Sequence, residues 1–198
     1  MAELMRVTAT ALEGRFVRLE PLWDSHVSGL AAVGLEESIW QHMPYGPMSE
    51  EADIRRWVRD ILERAAAGTD VPFAVVHLAS GRIAGATRYM DIRPADHGLE
   101  IGGTWYGTEF QRTVVNTECK YLLLRNAFEQ LKCIRVQLKT DSRNVRSQRA
   151  IERLGAVREG TLRNHMVLPD GTIRDSVYYS ILDSEWPAVK MLLEGKLA

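Results

Sequence analysis

The sequence contains few of the residues that mark a disulfide-stabilised or metal-dependent protein. Only two cysteines occur in 198 residues, and Cys119 and Cys133 lack a C-x-x-C spacing, so neither a disulfide framework nor a metal site is indicated. We interpret both as packing residues in a reducing compartment. The five histidines never recur at a ligand spacing such as i, i+4, and we therefore predict no metal centre.

Long apolar runs and an excess of one charge are also missing. No run approaches the roughly 18 apolar residues that a membrane span requires, and residues 1–4 have neither a basic start nor a signal-peptide core. Lys and Arg number 25 against 26 for Asp and Glu, which gives no basic footprint for nucleic acid. We expect a cytoplasmic protein with no membrane or nucleic-acid partner and a single domain over residues 1–198.

What is present is an alternation of short strands and helices without repeats or long linkers. Asp24 and Ser25 can cap a short helix that runs to about Glu37. Ser49 can cap a second, amphipathic helix that ends at Gly68. Strands follow at residues 73–78 and 82–91, joined as a tight hairpin.

The next segment has the length of a right-handed strand–helix–strand crossover, which predicts parallel neighbours. A strand over Leu99–Tyr106 is followed by a short loop and an apolar helix from Thr117 to Leu131. An alternating strand then begins at Ile134. The N–H groups at the start of the apolar helix have no intrahelical partners, and such a helix end attracts anions.

A further helix opens at Asp141 and closes at Leu154–Gly155. Asn144 and Ser147 lie three residues apart, on one face of it. They could address a ligand that passes the helix start. Equally, the Asn could simply cap the helix and the Ser could lie on a solvated face.

The run Asn144-x-x-Ser147-x-x-Ala150-Ile151-x-x-Leu154-Gly155-Ala156 resembles the acyl-CoA-binding core of the GNAT N-acetyltransferase superfamily, in its RimJ/RimL-like branch. Residues 15–22 are similar to the opening strand of that branch, and residues 169–182 to its closing hairpin. The resemblance implies an α/β (α+β) GNAT fold. It has a mixed central sheet of about seven strands, splayed at the acyl-CoA site and flanked by helices.

The resemblance also implies an activity. An acyl group, expected to be acetyl, would pass directly from acetyl-CoA to a primary amine within a ternary complex, and no metal would take part. The acceptor would be a protein N-terminus or a small amine, and homodimers are common in the family. From a different class, the chain could be a non-catalytic acyl-CoA-binding or regulatory module.

By the same resemblance, coenzyme A would be held by a strand end, by the loop into the apolar helix and by the following helix: Thr104, Trp105, Tyr106, Gln111, Arg112, Thr113, Val114, Val115, Asn116, Thr117, Asn144 and Ser147. Val114 departs from the family pattern, which has Gly there. A β-branched residue is costly at positive φ, so either the loop takes another path or cofactor affinity is reduced. Asn116 is tolerated because Asn adopts left-handed conformations and can cap a helix.

Acyl transfer needs a base for the amine, donors for the developing oxyanion and a proton for the departing thiolate. Glu100 stands where many GNAT enzymes carry the base, although it could instead pair with Arg88 or another base of the sheet. The N–H groups around Thr104–Tyr106 are the expected oxyanion donors. Ser147 and Tyr179 are both candidates for the proton donor, and Tyr178 and Tyr179 face opposite sides of their strand.

The acceptor pocket is expected to be bounded by the loop over residues 40–47 and by neighbouring side chains: Trp40, Tyr45, Arg88, Tyr89 and His165. Trp40 and Tyr45 could instead be ordinary packing residues.

Overall fold

A computed structural model describes residues 4–198 of the chain. The strands are β1 (Leu12–Glu13), β2 (Val17–Pro21), β3 (Val71–His77), β4 (Arg82–Arg93), β5 (Gly98–Tyr106), β6 (Arg135–Asp141), β7 (Val157–Val167) and β8 (Ile173–Leu182). The helices are α1 (Val27–Gly34), α2 (Glu37–Trp40), α3 (Glu51–Ala66), α4 (Val114–Arg125), α5 (Val145–Glu152) and α6 (Trp186–Leu197).

All eight strands form one mixed sheet in the order β1-β2-β3-β4-β5-β6-β8-β7. The predicted mixed α/β fold with a helix-flanked central sheet is therefore confirmed, with one strand more than expected because the two residues of β1 pair with β2. The β3–β4 hairpin is antiparallel, and β5 and β6 are the predicted parallel neighbours.

The sheet separates between β5 and β6. Their pairing ends at Glu100 and Gln137, while β5 stays paired with β4 as far as Tyr106 and β6 continues along β8. A bulge explains the divergence: Gly103 and Thr104 together stand opposite Thr87, and Gly103 has a φ of +57°. An extra residue of this kind bends a strand and increases its twist, so β5 turns away from β6.

Helix boundaries differ from prediction where capping residues were misassigned. α4 begins at Val114 rather than Thr117, because the Thr113 hydroxyl accepts a hydrogen bond from the Val115 N–H and caps the helix. Beyond α4 the chain continues as a π-helical stretch over Asn126–Gln130. For α3 the cap is Glu50 rather than Ser49, and Asp53 accepts hydrogen bonds from both backbone N–H groups.

The predicted helix over residues 24–37 is divided into a short 3-10 turn, α1 and α2. Both cysteines are buried and unbonded, as expected for packing residues. Among residues 4–198, none of the helices combines the length and apolar character needed to cross a bilayer.

Candidate active site

A cleft of about 930 Å³ opens where β5 and β6 separate. The loop after α2 lines one part of the cleft, and the starts of α4 and α5 line another. The free edge of β5 beyond Glu100 also borders it. Because that edge faces no strand of this sheet, its N–H and C=O groups are available to an extended ligand.

The segment before α4 is shaped by side-chain hydrogen bonds into a turn, which we call the cradle. Its path is fixed by Gln111, which donates from Nε2 to the Tyr106 carbonyl at 2.9 Å and accepts from Arg146 at 2.9 Å. Arg112 takes the left-handed conformation, with a φ of +61°. The Thr113 hydroxyl donates to the Phe110 carbonyl at 2.7 Å. The turn thereby delivers the first N–H groups of α4 and its positive dipole end to the cleft.

Val114 is not strained in this arrangement. It is the first residue of α4, and the positive φ falls on Arg112 two residues earlier. The loop thus follows the other path left open by the sequence. The argument that a β-branched residue here reduces cofactor affinity therefore loses its premise.

Most of the residues expected to contact coenzyme A line the cleft, namely Thr104, Trp105, Tyr106, Gln111, Arg112, Thr113, Asn116, Asn144 and Ser147. Three do not contribute side chains to it. Val115 and Thr117 are buried in α4, and the Val114 side chain lies outside the cleft. For these three, a contact could come only from the backbone, because α4 starts earlier than predicted.

Asn144 performs the structural role that its position suggested, since its Oδ1 accepts from the Ser147 N–H at 3.0 Å and caps α5. Both side chains nevertheless line the cleft, so capping and ligand contact are compatible. Of the two arginines near the start of α5, Arg143 is engaged by Asp141 at 2.7 Å. Arg146 borders the cleft.

Glu100 lies in the cleft with 1% of its surface exposed. Its Oε2 accepts from Lys139 Nζ and from Gln137 Nε2, each at 3.0 Å. Its partner is therefore Lys139 and not Arg88. A methyl group on Gly102 would lie 2.9 Å from the Glu100 Oε1, so the absence of a side chain there leaves room beside that oxygen.

Arg88 lines the cleft beside the loop that follows α2 and is 3% exposed. Its Nη2 donates to the Tyr45 hydroxyl at 2.7 Å, and its Nε lies 2.8 Å from the Asp70 carboxylate. The predicted acceptor residues Tyr45 and Arg88 are thus brought together.

Tyr179, Tyr89, Trp40 and His165 were predicted at the site, and the structure does not place them in this cleft. Tyr179 is fully buried and donates to Glu152 of α5 at 3.0 Å. Strand alternation turns Tyr89 toward α4, where it donates to the Leu123 carbonyl at 2.6 Å. Trp40 packs on Trp57 and Trp105. His165 bonds Ser176 and Tyr178.

Three basic residues of the cleft were not anticipated, namely Arg64, Lys120 and Arg174. Arg174 sits in an alternating strand, where nothing in the sequence distinguishes it. Lys120 does carry a signal, because its neighbours Cys119, Leu123 and Leu124 are apolar and predict burial of this part of the helix. Its ammonium donates to the Thr104 hydroxyl, and the Thr87 hydroxyl lies 3.5 Å away. Burial lowers the pKa of Lys120 from 10.5 to about 8.

Replacement of Lys120 by Met is expected to stabilise the protein by on the order of 2 kcal/mol at neutral pH. The folded pKa lies below the unfolded one, so folding carries a full penalty below about pH 8. Between pH 8 and 10.5 the unfolded chain alone holds the proton, and stability rises with pH. Urea unfolding of both proteins at about pH 7 and 10 measures the difference, which should shrink at the higher pH. A gap that is constant with pH would contradict the explanation.

The Thr87 and Thr104 hydroxyls lie 2.8 Å apart, so they can hydrogen-bond to each other in the Lys120→Met variant.

Among residues 4–198, no three His, Cys, Asp or Glu side chains form a group that could hold a metal ion.

The site as built suits a nucleoside diphosphate with an extended arm. The start of α4 and the arginines near it, Arg112, Arg146, Arg149 and Arg153, match a polyphosphate. The free β5 edge matches a chain of amide groups. Coenzyme A has both parts, so the residues present fit it.

Comparison with known proteins gives concordant results. A family model described as "Acetyltransferase (GNAT) domain" matches residues 17–157. The Bacillus subtilis (strain 168) protein named "Putative ribosomal N-acetyltransferase YdaF" is 31% identical over 113 residues, which are 57% of this chain and 61% of that protein. The chain thus spans somewhat less than two thirds of that relative.

Two solved structures are similar over nearly the whole chain. One is described as a "putative acetyltransferase" from T. thermophilus, with 39% identity, a TM-score of 0.89, and coverage of 98% of this chain and 100% of that one. The other is described as a GCN5-related N-acetyltransferase from Brucella melitensis, with 34% identity, a TM-score of 0.91, and coverage of 97% and 87%.

Proposed function

The chain belongs to the GNAT acetyltransferase family, and from that membership we propose that it transfers the acetyl group of acetyl-CoA directly to a primary amine. The predicted superfamily is confirmed, and the name of the B. subtilis relative is consistent with the RimJ/RimL-like branch. The observation that carries the proposal is the separation of β5 from β6 beside the capped start of α4. It supports one site that receives both a polyphosphate and an extended arm.

In this proposal the cofactor end of the cleft binds coenzyme A through backbone N–H groups and basic side chains. The first turn of α4 and Arg146 receive the phosphates. The N–H groups of β5 from Thr104 to Tyr106 orient and polarise the acyl carbonyl. Bound acetyl-CoA supplies the activated thioester. Asn144 and Ser147 lie at the start of α5, where they flank the arm.

Glu100 is the proposed proton acceptor for the incoming amine. A primary amine is largely protonated at neutral pH, and the cation has no lone pair for attack. Glu100 takes the proton that the nitrogen loses, while Lys139 and Gln137 hold its other oxygen in place. Ser147 is the proposed donor to the sulfur when the carbon–sulfur bond breaks, because Tyr179 faces away from the cleft.

The acceptor is proposed to be a protein N-terminus or a small amine bound between the loop after α2 and β5. The name of the B. subtilis relative specifies a ribosomal acetyltransferase, which supports a protein N-terminus. The cleft volume and the two buried arginines at this end favour a small amine. A homodimer remains a prediction.

Calorimetric titration with acetyl-CoA, followed by an assay of CoA release with a panel of amines, tests the proposal. We expect binding and amine-dependent release. Arg146→Gln should weaken acetyl-CoA binding about tenfold, because it removes a charged hydrogen-bond donor at the cradle. Arg59→Gln is the matched control, since Arg59 is an exposed arginine of α3, and it should bind as the wild type does. Absence of heat at millimolar acetyl-CoA with folded protein would exclude the activity.

A further inference from the structure

Two arginines are buried at the acceptor end of the cleft, Arg88 from β4 and Arg174 from β8. They are 3% and 5% exposed, and both line the cleft. A guanidinium remains charged in proteins, and a buried charge is costly unless it is paired. The partners of each arginine therefore decide whether it is purely structural.

Arg174 has no carboxylate within 4.0 Å among residues 4–198. Its Nε donates to the Ser176 hydroxyl at 3.1 Å, and its Nη1 donates to the His42 carbonyl at 3.4 Å. The acids that act on it from a distance are Asp141 and Glu100. Each of these is already bound at closer range, by Arg143 and by Lys139. The charge of Arg174 is thus left without a direct counterion.

Arg88 is only partly satisfied. Its Nε has Asp70 at 2.8 Å, and its Nη2 donates to Tyr45. Its buried Nη1 has no hydrogen-bond partner in the described part of the chain. One N–H group of this guanidinium therefore lacks a hydrogen-bond partner, and it lies buried against Gly103.

Both arginines border the same space, because each contacts the loop that follows α2. Arg174 reaches that loop through His42, and Arg88 reaches it through Tyr45. These contacts place both guanidinium groups beside residues 42–45 of one loop.

The charge of the whole cleft is also one-sided. Nine lysine and arginine side chains line it against one carboxylate, Glu100, although the complete sequence is nearly neutral. The phosphates of coenzyme A account for the arginines near α4 and α5. Burial lowers the pKa of His42, so that ring adds little positive charge at neutral pH. Of the other five basic side chains, Arg88 is paired with Asp70 and Lys139 with Glu100, and burial lowers the pKa of Lys120. Arg64 is exposed, so Arg174 is the buried guanidinium whose charge is uncompensated.

We infer that the amine acceptor itself carries a carboxylate or a phosphate, and that Arg88 and Arg174 bind this anion. The inference rests on the proposed acetyltransferase function. A planar guanidinium presents paired donors that match either anion. An acceptor with only an ammonium group would be repelled by the same charges, whereas an anionic group on the acceptor compensates them. Nearby positive charge also favours the uncharged form of the amine, which is the form that attacks.

The test compares two matched pairs of small amines: 4-aminobutanoate with 4-aminobutanamide, and O-phosphoethanolamine with ethanolamine. Binding of each to the CoA-saturated protein is measured by calorimetry, and kcat/KM is measured with acetyl-CoA. In the wild type we expect the anionic member of at least one pair to be favoured about ten- to a hundredfold, the factor for charge-assisted hydrogen bonds. If only the first pair shows a preference, the anion that the site binds is a carboxylate. If only the second pair shows one, the anion is a phosphate.

Arg174→Gln should reduce that preference to within about threefold while the neutral member changes little. Arg174→Lys keeps the positive charge but loses the paired guanidinium donors, so it should retain part of the preference. This second variant is used if Arg174→Gln fails to fold. Arg59→Gln is the control for loss of one positive charge and should keep the full preference.

Equal handling of charged and neutral amines by the wild type would overturn the inference and leave the acetyltransferase proposal intact. An equal loss of both members in Arg174→Gln would also overturn it, since that result means that Arg174 only anchors the loop. If no amine is acetylated although acetyl-CoA binds, the proposed function fails. Calorimetry with the same amines then still decides whether the anion site exists.

Discussion

Replacement of Glu100 by Gln is expected to lower turnover by about 10²–10⁴-fold, the range for loss of a positioned general base. The amide keeps the size of the side chain, and its oxygen can still accept from Lys139 and Gln137. Acetyl-CoA affinity should therefore change little. The acidic limb of the pH–rate profile should disappear, because the group that must lose its proton is gone.

Lys139→Gln separates catalysis from structure in that experiment. If Glu100 serves only as the counterion of Lys139 across 3.0 Å, the two single variants should lose stability and activity to a similar degree. If Glu100 is the base, Lys139→Gln should retain the acidic limb and most of the turnover. Steady-state pH profiles of both variants with one good acceptor measure this. An unchanged acidic limb in Glu100→Gln would remove Glu100 from the mechanism.

Replacement of Glu118 by Gln is expected to lower the free energy of unfolding by about 3 kcal/mol, although it changes a single atom. The carboxylate is 3% exposed and accepts the backbone N–H groups of Arg15, Phe16 and Val17, at 2.8, 2.6 and 2.7 Å. It therefore ties the turn between β1 and β2 to α4. The NH₂ group of the Gln side chain would face backbone N–H groups with its own donors, and these buried N–H groups would lose their acceptor.

Urea unfolding followed by circular dichroism measures the effect of Glu118→Gln. Glu63→Gln is the control, because Glu63 is an exposed carboxylate on α3, and it should lie within about 0.5 kcal/mol of the wild type. A Glu118→Gln protein as stable as this control would mean that the three short contacts contribute little net stability.

The sequence predicted those parts of the site that depend on local order. The crossover from β5 to β6, the anion-binding start of α4 and the Asn144–Ser147 face each follow from periodicity and spacing within one short segment. The family resemblance added the position of Glu100. The structure places Tyr179 against Glu152 and outside the cleft, a position that alternation could not predict, because it tells which residues face opposite sides but not which side is the cleft.

The features that escaped prediction depend on contacts between distant segments. Glu118 binds a turn about a hundred residues away, and Arg174 meets the loop at His42 across 132 residues. A lone Glu in a helix and a lone Arg in a strand resemble solvated surface residues until the fold brings their partners to them. The path of the loop at Val114 escaped because Arg112 adopts the positive φ that the family pattern assigns to glycine.

Arg174 and Arg88 both hold the loop after α2, but they restrict the residues of that loop to different degrees. Arg174 grips a main-chain carbonyl at His42, a group that every amino acid possesses, so residue 42 can diversify without releasing the loop. Arg88 grips the phenol oxygen of Tyr45, which Phe or Leu could not replace. Position 42 is thus expected to vary among relatives that carry both arginines, whereas position 45 is expected to be constrained. Differences in substrate choice among these relatives should therefore accumulate at position 42.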